Sequence, residues 1–292
     1  QWTWMDEGLN TFLQYQTERL WTDESGKPFP SRRGPAKLIV PYMKGDKRYI
    51  SSIMTNSESI FQFGNNAYGK PCTALNIMRE TVVGPELFDY AFKIYANRWK
   101  FKHPSPADFF RTMEDASSVD LDWYWNGWFY TTDHCDIAIT GVHQLKVDNQ
   151  RPADGTTKKS NQKNIKKLAK HNKVNPMLQA VKSAENPAKA FDKIKSNLTD
   201  IRKEILDKEV YLCQVDLKMI GGLVMPVILK LEYEDGSSEE VRIPAEIWKM
   251  QNELLENSVS KVLVTNKSVK KVVIDPNLET ADTDVSNNAW PR

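Results

Sequence analysis

Three stretches of this sequence hold residue types that could do chemistry. The first is Glu7, set among Trp4, Asp6 and Gly8 near the start of a helical pattern. The second is Tyr68-Gly69-Lys70-Pro71, preceded by a Gly-Asn-Asn approach. The third is Asp133-His134-Cys135-Asp136. Carboxylates ligate metals and move protons, and a phenol can donate to a developing oxyanion. In the third stretch all four residues are metal-capable, but neighbours on an extended segment point to opposite faces and cannot converge on one ion. It reads as a junction. The histidines at 103, 134, 143 and 171 are scattered and none forms an HExxH pair.

The elements that must position these groups are legible from periodicity. Residues 1–18 form an amphipathic helix, with Met5, Leu9, Phe12, Leu13 and Leu20 on one side. Glu7, Thr11, Gln14 and Glu18 make a narrow stripe on the other, which reads as a solvated face. Tyr68, taken alone, reads as a half-buried core phenol at a helix start. Gly84-Pro85 ends one helix and opens another, with Leu87, Phe88, Ala91, Phe92, Tyr95 and Trp99 as its buried stripe. Ser105-Pro106-Ala107-Asp108 carries a capping box. Phe109, Phe110 and Met113, then Leu121, Trp125 and Trp128, continue an aromatic core. Everything up to about Tyr130 is expected to be helical.

Beyond it the pattern changes to strands, at 136–147, 210–217, 227–233, 239–243, 261–265 and 269–274. Glu234-Asp235-Gly236-Ser237 is a hairpin turn between two of them. Regular short strands suggest a β-sandwich, with the polar tail at 279–292 as an edge wrap or ending. Between the early strands lies a run, residues 156–173, with seven lysines and no acidic residue. It lacks interleaved aromatics for base stacking, so it reads as a solvated insertion rather than a nucleic-acid patch. Helical spacing returns from Met177 to Lys208.

Composition limits the function classes. With 40 basic and 38 acidic residues among 292, the net charge is only +2, so no global field recruits nucleic acid or an anionic membrane. The longest apolar run, near 221–229, is about half the roughly 20 residues a membrane span needs. Cys72, Cys135 and Cys213 lie far apart and read as buried thiols.

The first two stretches together resemble a known family. WTWMDEGLNTFLQ is similar to the W-x-[ND]-E-G helix of the gluzincin zinc aminopeptidases, the aminopeptidase N and leukotriene hydrolase family. Tyr68-Gly69-Lys70-Pro71 is similar to that family's Y-x-K-[GAP] motif. The order of Leu75, Met78-Arg79, Gly84, Phe88, Tyr95, Pro106-x-Asp108-Phe109, Met113-Glu114 and Leu121-x-Trp123 to Trp128 also fits. The resemblance covers residues 1 to about 140, and the second half agrees in kind. Gly221 to Pro226 and the ETADTDVSNN ending are similar to the large bacterial members.

The resemblance implies a multi-domain α+β chain. Residues 1–133 would be the all-helical C-terminal half of a thermolysin-like catalytic domain. Residues 134–292 would be an Ig-like β-sandwich, with about 150–208 as the lysine-rich, partly helical insertion. It implies that Glu7 is the third zinc ligand and that Tyr68 stabilises the tetrahedral oxyanion of peptide hydrolysis. Glu18, in the same stripe, would orient the ligand. The HExxH pair, which supplies the other ligands and the general base, is absent and expected about a dozen residues before Gln1. The chain is therefore expected to be a fragment of a metallo-aminopeptidase, inactive alone and unable to hold zinc tightly. Its partners would be the preceding part of the same chain and a peptide substrate, in the cell envelope or periplasm. The competing expectation is a non-catalytic protein- or glycan-binding module.

Overall fold

A computed structural model describes residues 2–21, 24–146, 196, 199–200, 210–250 and 257–291. The lysine-rich run and almost all of the 177–208 helical pattern lie outside the described residues. The chain is α+β: helices to Tyr130, then antiparallel sheets from Ile137.

After a short helical turn at Thr3–Met5, α1 runs from Glu7–Glu18 and α2 from Ala36–Met43. A π-helical turn at Gly64–Gly69 leads directly into α3, Lys70–Ile77, followed by a second such turn at Met78–Val82. Helices α4, Pro85–Trp99, and α5, Pro106–Ser117, start where the Pro residues indicated. Gly84 has φ +92°, which the turn into α4 requires of it. The Ser105–Asp108 capping box is formed in both directions. A last short helix, α6, Asp122–Trp125, passes into a π-helical turn at Asn126–Tyr130.

Aromatic rings fill the space between these helices. Trp4 packs on Phe109, Phe110 and Phe129, and Phe110 stacks on Trp125 at 4.4 Å. Offset and edge-on ring pairs of this kind add stabilisation beyond area burial. One core runs from Trp4 and Phe12 through these rings to Leu223, Met225 and Leu231 of the sheet region.

The sheets are β1 (Ile137–Lys146), β2 (Tyr211–Met219) and β5 (Ser258–Thr265) in the order β1-β2-β5, and a second in the order β4-β3-β6-β7. The second is built from β3 (Val227–Tyr233), β4 (Ser238–Ile243), β6 (Val269–Ile274) and β7 (Ala289–Trp290). All pairs are antiparallel. Gln144 of β1 ties the sheets together, donating to Ser268 at 2.8 Å and accepting from the Val269 N–H at 2.7 Å. The tail supplies β7 as an edge strand on β6. No described helix is long and apolar enough to cross a membrane.

Two expectations about α1 fail. Leu13 is 46% exposed and Leu20 83%, while Thr11 of the polar stripe is buried. The helix buries Gly8, Thr11 and Phe12 instead. A small residue and a β-branched hydroxyl let α1 approach α3 closely, and the Thr11 Oγ1 satisfies itself on the Glu7 carbonyl at 2.6 Å. The polar stripe is therefore turned partly inward, towards the segment that carries Tyr68. A smaller correction is Leu87, which is 38% exposed at the edge of the α4 stripe.

Candidate active site

The contact between α1 and the Tyr68 helix depends on Gly8. A Cβ there would lie 2.7 and 2.8 Å from Pro71 ring carbons and 3.2 Å from the Ala67 carbonyl. With no side chain at position 8, the first turn of α1 rests directly on Ala67 and Pro71. The neighbouring residues, Glu7 and Tyr68, then face each other. Both are half-buried. The phenol of Tyr68 is held above its ordinary pKa, first by a hydrogen bond with the Glu7 carboxylate. Desolvation and the charges of Glu7 and Asp6 act in the same direction, and Arg33 opposes them.

Tyr68 is not at a helix start. Helical conformation begins at Phe63, and Tyr68 lies inside the π-helical turn. The physical reason lies at its end. Lys70 donates its N–H to the Asn65 carbonyl, a wider-than-usual loop, immediately before Pro71, which has no N–H to give. The wide turn absorbs the break that Pro71 would otherwise make in the helix. Asn66 anchors the same turn, donating to the Ser51 and Ser52 carbonyls at 2.8 and 2.9 Å.

The ring of Tyr68 is contacted by two further side chains. Phe63 meets it edge-on at 6.1 Å, and the Arg33 guanidinium lies 4.8 Å from its centroid. Glu18 does not join them. It lies eleven residues further along α1, about 16 Å at 1.5 Å per residue, and accepts from Gln14 at 2.7 Å.

Among the described residues no three His, Cys, Asp or Glu side chains come together as a metal group. Asp6, beside Glu7, is exposed and accepts from Asn10 at 2.9 Å. Glu7 makes no ion pair among the described residues. A catalytic zinc takes three protein ligands, so Glu7 fits as one arm of such a site and not as the site.

At 133–136 the chain is a junction. Cys135 is fully buried and bridges to Asp282, and its carbonyl accepts from Thr283. Asp136 turns the other way to accept from Asn287 at 2.9 Å. All three cysteines are buried and free. Burial pushes the Asp282 carboxyl up to about 6, against the N–H groups of Asp284 and Ile137 that it accepts.

Periodicity gave no sign of two cations near the site. Arg33 sits in an irregular loop. Lys70 lies in the motif, but nothing local announces that it is 1% exposed. Its Nζ donates to the Thr131 carbonyl at 2.9 Å, and Lys47 donates to the next carbonyl, Thr132, at 2.8 Å. Two ammonium groups thus hold the exit of the last helical turn, where carbonyls have no helical partner. Burial first, then the charge of Lys47, lowers the Lys70 pKa to about 7, with Asp133 opposing.

That depression has a signed consequence. Between pH 7 and about 10 the unfolded chain keeps the Lys70 proton and the folded chain releases it, so folding stability rises with pH. Below pH 7 the whole penalty applies. At 1.36 kcal/mol per pKa unit it is of order 5 kcal/mol, offset by ~1 kcal/mol for the hydrogen bond to Thr131. Lys70→Met is expected to be the more stable protein at pH 6, with an advantage that shrinks through pH 7–10. Urea unfolding across that range checks it; parallel stability curves for the two proteins refute it.

No protein-family model matches the chain. Glutamyl aminopeptidase from Sus scrofa is 22% identical to it over 154 residues, covering 51% of this chain and 16% of that protein. The crystal structure of Legionella pneumophila aminopeptidase A in complex with aspartic acid is similar in fold, with a TM-score of 0.51 and 12% identity. That likeness covers 96% of this chain and 24% of the other. The chain spans about a quarter or less of the length of the proteins it matches. It is similar, in sequence over half its length and in fold over nearly all of it, to a segment of aminopeptidases.

Proposed function

We propose that this chain is the part of a zinc-dependent aminopeptidase that carries one metal ligand, Glu7, and one oxyanion donor, Tyr68. The observation that supports this reading is the meeting of Glu7 and Tyr68 across the Gly8–Pro71 contact. A ligand carboxylate and a donor phenol must share one side of a reacting carbonyl, and these two come from elements 61 residues apart. Residues 1–133 act as the helical part of a thermolysin-like catalytic domain, and residues 134–292 as an Ig-like sandwich behind it. The preceding part of the same protein supplies an HExxH helix with two His ligands and the general base. Zinc, when bound, polarises the first peptide carbonyl and makes water nucleophilic at neutral pH.

The residues of this chain have three tasks. Glu7 holds the metal from the first turn of α1, where the packing of Gly8 fixes its backbone. Tyr68 donates its O–H to the carbonyl oxygen as negative charge develops on it, an interaction stronger in the transition state than with substrate. Lys70 ties the Tyr68 helix to the Thr131 carbonyl at the junction with the sheets.

The test is hydrolysis of aminoacyl-anilides by the chain joined to its preceding segment. Activity should be removed by a chelator and restored by zinc, and the present chain alone should be inactive. A preceding segment without HExxH, or hydrolysis indifferent to chelation, refutes the metallopeptidase reading and favours a binding module of the same fold.

A further inference from the structure

One strongly charged group at the site has no task so far. Among the described residues Arg33 makes no ion pair, although its guanidinium lies 4.8 Å from the centre of the Tyr68 ring. Its place is not accidental. The next residue, Gly34, has φ +106°, and a Cβ on it would fall 2.3 Å from the ring carbons of Tyr15. Only a bare backbone in that conformation can lie on the Tyr15 face. Tyr15 belongs to α1, two turns beyond Glu7. One helix therefore carries the carboxylate that meets the phenol and the ring that seats the loop bearing Arg33.

On the Tyr68 ring the contacts are complementary. Phe63 meets it edge-on, and Arg33 covers a face, where the ring quadrupole attracts a cation.

We propose that Arg33 is a positioning residue for Tyr68, stacking on its ring to fix the phenol beside Glu7. The inference rests on the role given to Tyr68 above. It needs no contact between Arg33 and substrate.

The experiment begins with the chain itself, labelled with carbon-13 at the tyrosine Cζ; the resonance missing from Tyr68→Phe identifies Tyr68. Arg33→Gln is expected to move that resonance at neutral pH. Arg32→Gln, at the exposed neighbouring position, should leave it in place, and Arg33→Lys, which keeps a cation for the ring face, should move it less. Arg33→Gln that leaves the resonance in place, as Arg32→Gln does, overturns the proposal. In the chain joined to its preceding segment, Arg33→Gln should lower kcat about 10-fold with little change in KM. That loss should vanish in a Tyr68→Phe background; a loss that persists in full there also overturns it. If no version hydrolyses peptides, the aminopeptidase reading fails while the resonance still decides whether Arg33 positions Tyr68.

Discussion

Glu7→Ala, made in the chain joined to its preceding segment, is expected to abolish both stoichiometric zinc and hydrolysis. Substitutions that only orient a ligand typically cost about 10–100-fold in metal affinity. Removing a ligand outright should cost more. The fold should survive, because Glu7 is half-buried, makes no ion pair among the described residues, and leaves the Gly8–Pro71 contact untouched. Metal content by atomic absorption and thermal unfolding of the metal-free protein separate the two effects. The expected pattern is zinc lost and metal-free stability kept. A Glu7→Ala protein that holds zinc and works at the parental rate removes Glu7 from the metal site. Glu7→Ala should also lower the Tyr68 phenol pKa in the present chain, since the Glu7 hydrogen bond is the first cause of its elevation.

Tyr68→Phe is expected to lower kcat by roughly 10²–10³, the usual cost of deleting one oxyanion donor. KM should stay nearly constant, because the hydrogen bond strengthens only as charge develops. The ring itself is retained, so the contacts with Phe63 and Arg33 persist and the fold should not change. Zinc content should be unaffected. Steady-state kinetics on an aminoacyl-anilide, with zinc measured on the same sample, makes the check. A fall in activity that tracks a fall in zinc would make Tyr68 a structural neighbour of the metal rather than the oxyanion donor.

These two residues were both visible in the sequence, but for different reasons than their neighbours. Glu7 and Tyr68 stand out through resemblance to a family motif. Their periodicity suggested a solvated stripe and a core phenol. What joins them is a steric fact at Gly8 and Pro71, residues 63 apart in the chain, and no local rule encodes that approach. The same holds for α1 as a whole. Its hydrophobic side was assigned from residue type, yet Leu13 and Leu20 are exposed and Thr11 is buried. Close helix packing selected the small face over the greasy one. Glu18 shared a stripe with Glu7 on a helical projection, but projection discards the axial rise that separates them.

What the sequence by itself determined is everything governed by a few adjacent residues. The Ser105–Asp108 box, the Gly84-Pro85 boundary, the Glu234–Ser237 hairpin and the alternating strands all formed where their local chemistry indicated. Backbone hydrogen bonds and single-residue φ limits act over that range. Only the tertiary structure decided that Arg33 covers Tyr68, that Lys70 is buried on the Thr131 carbonyl, and that Gly34 lies against Tyr15. Each depends on two surfaces meeting, where excluded volume and desolvation set the outcome, and neither is a property of one stretch of chain.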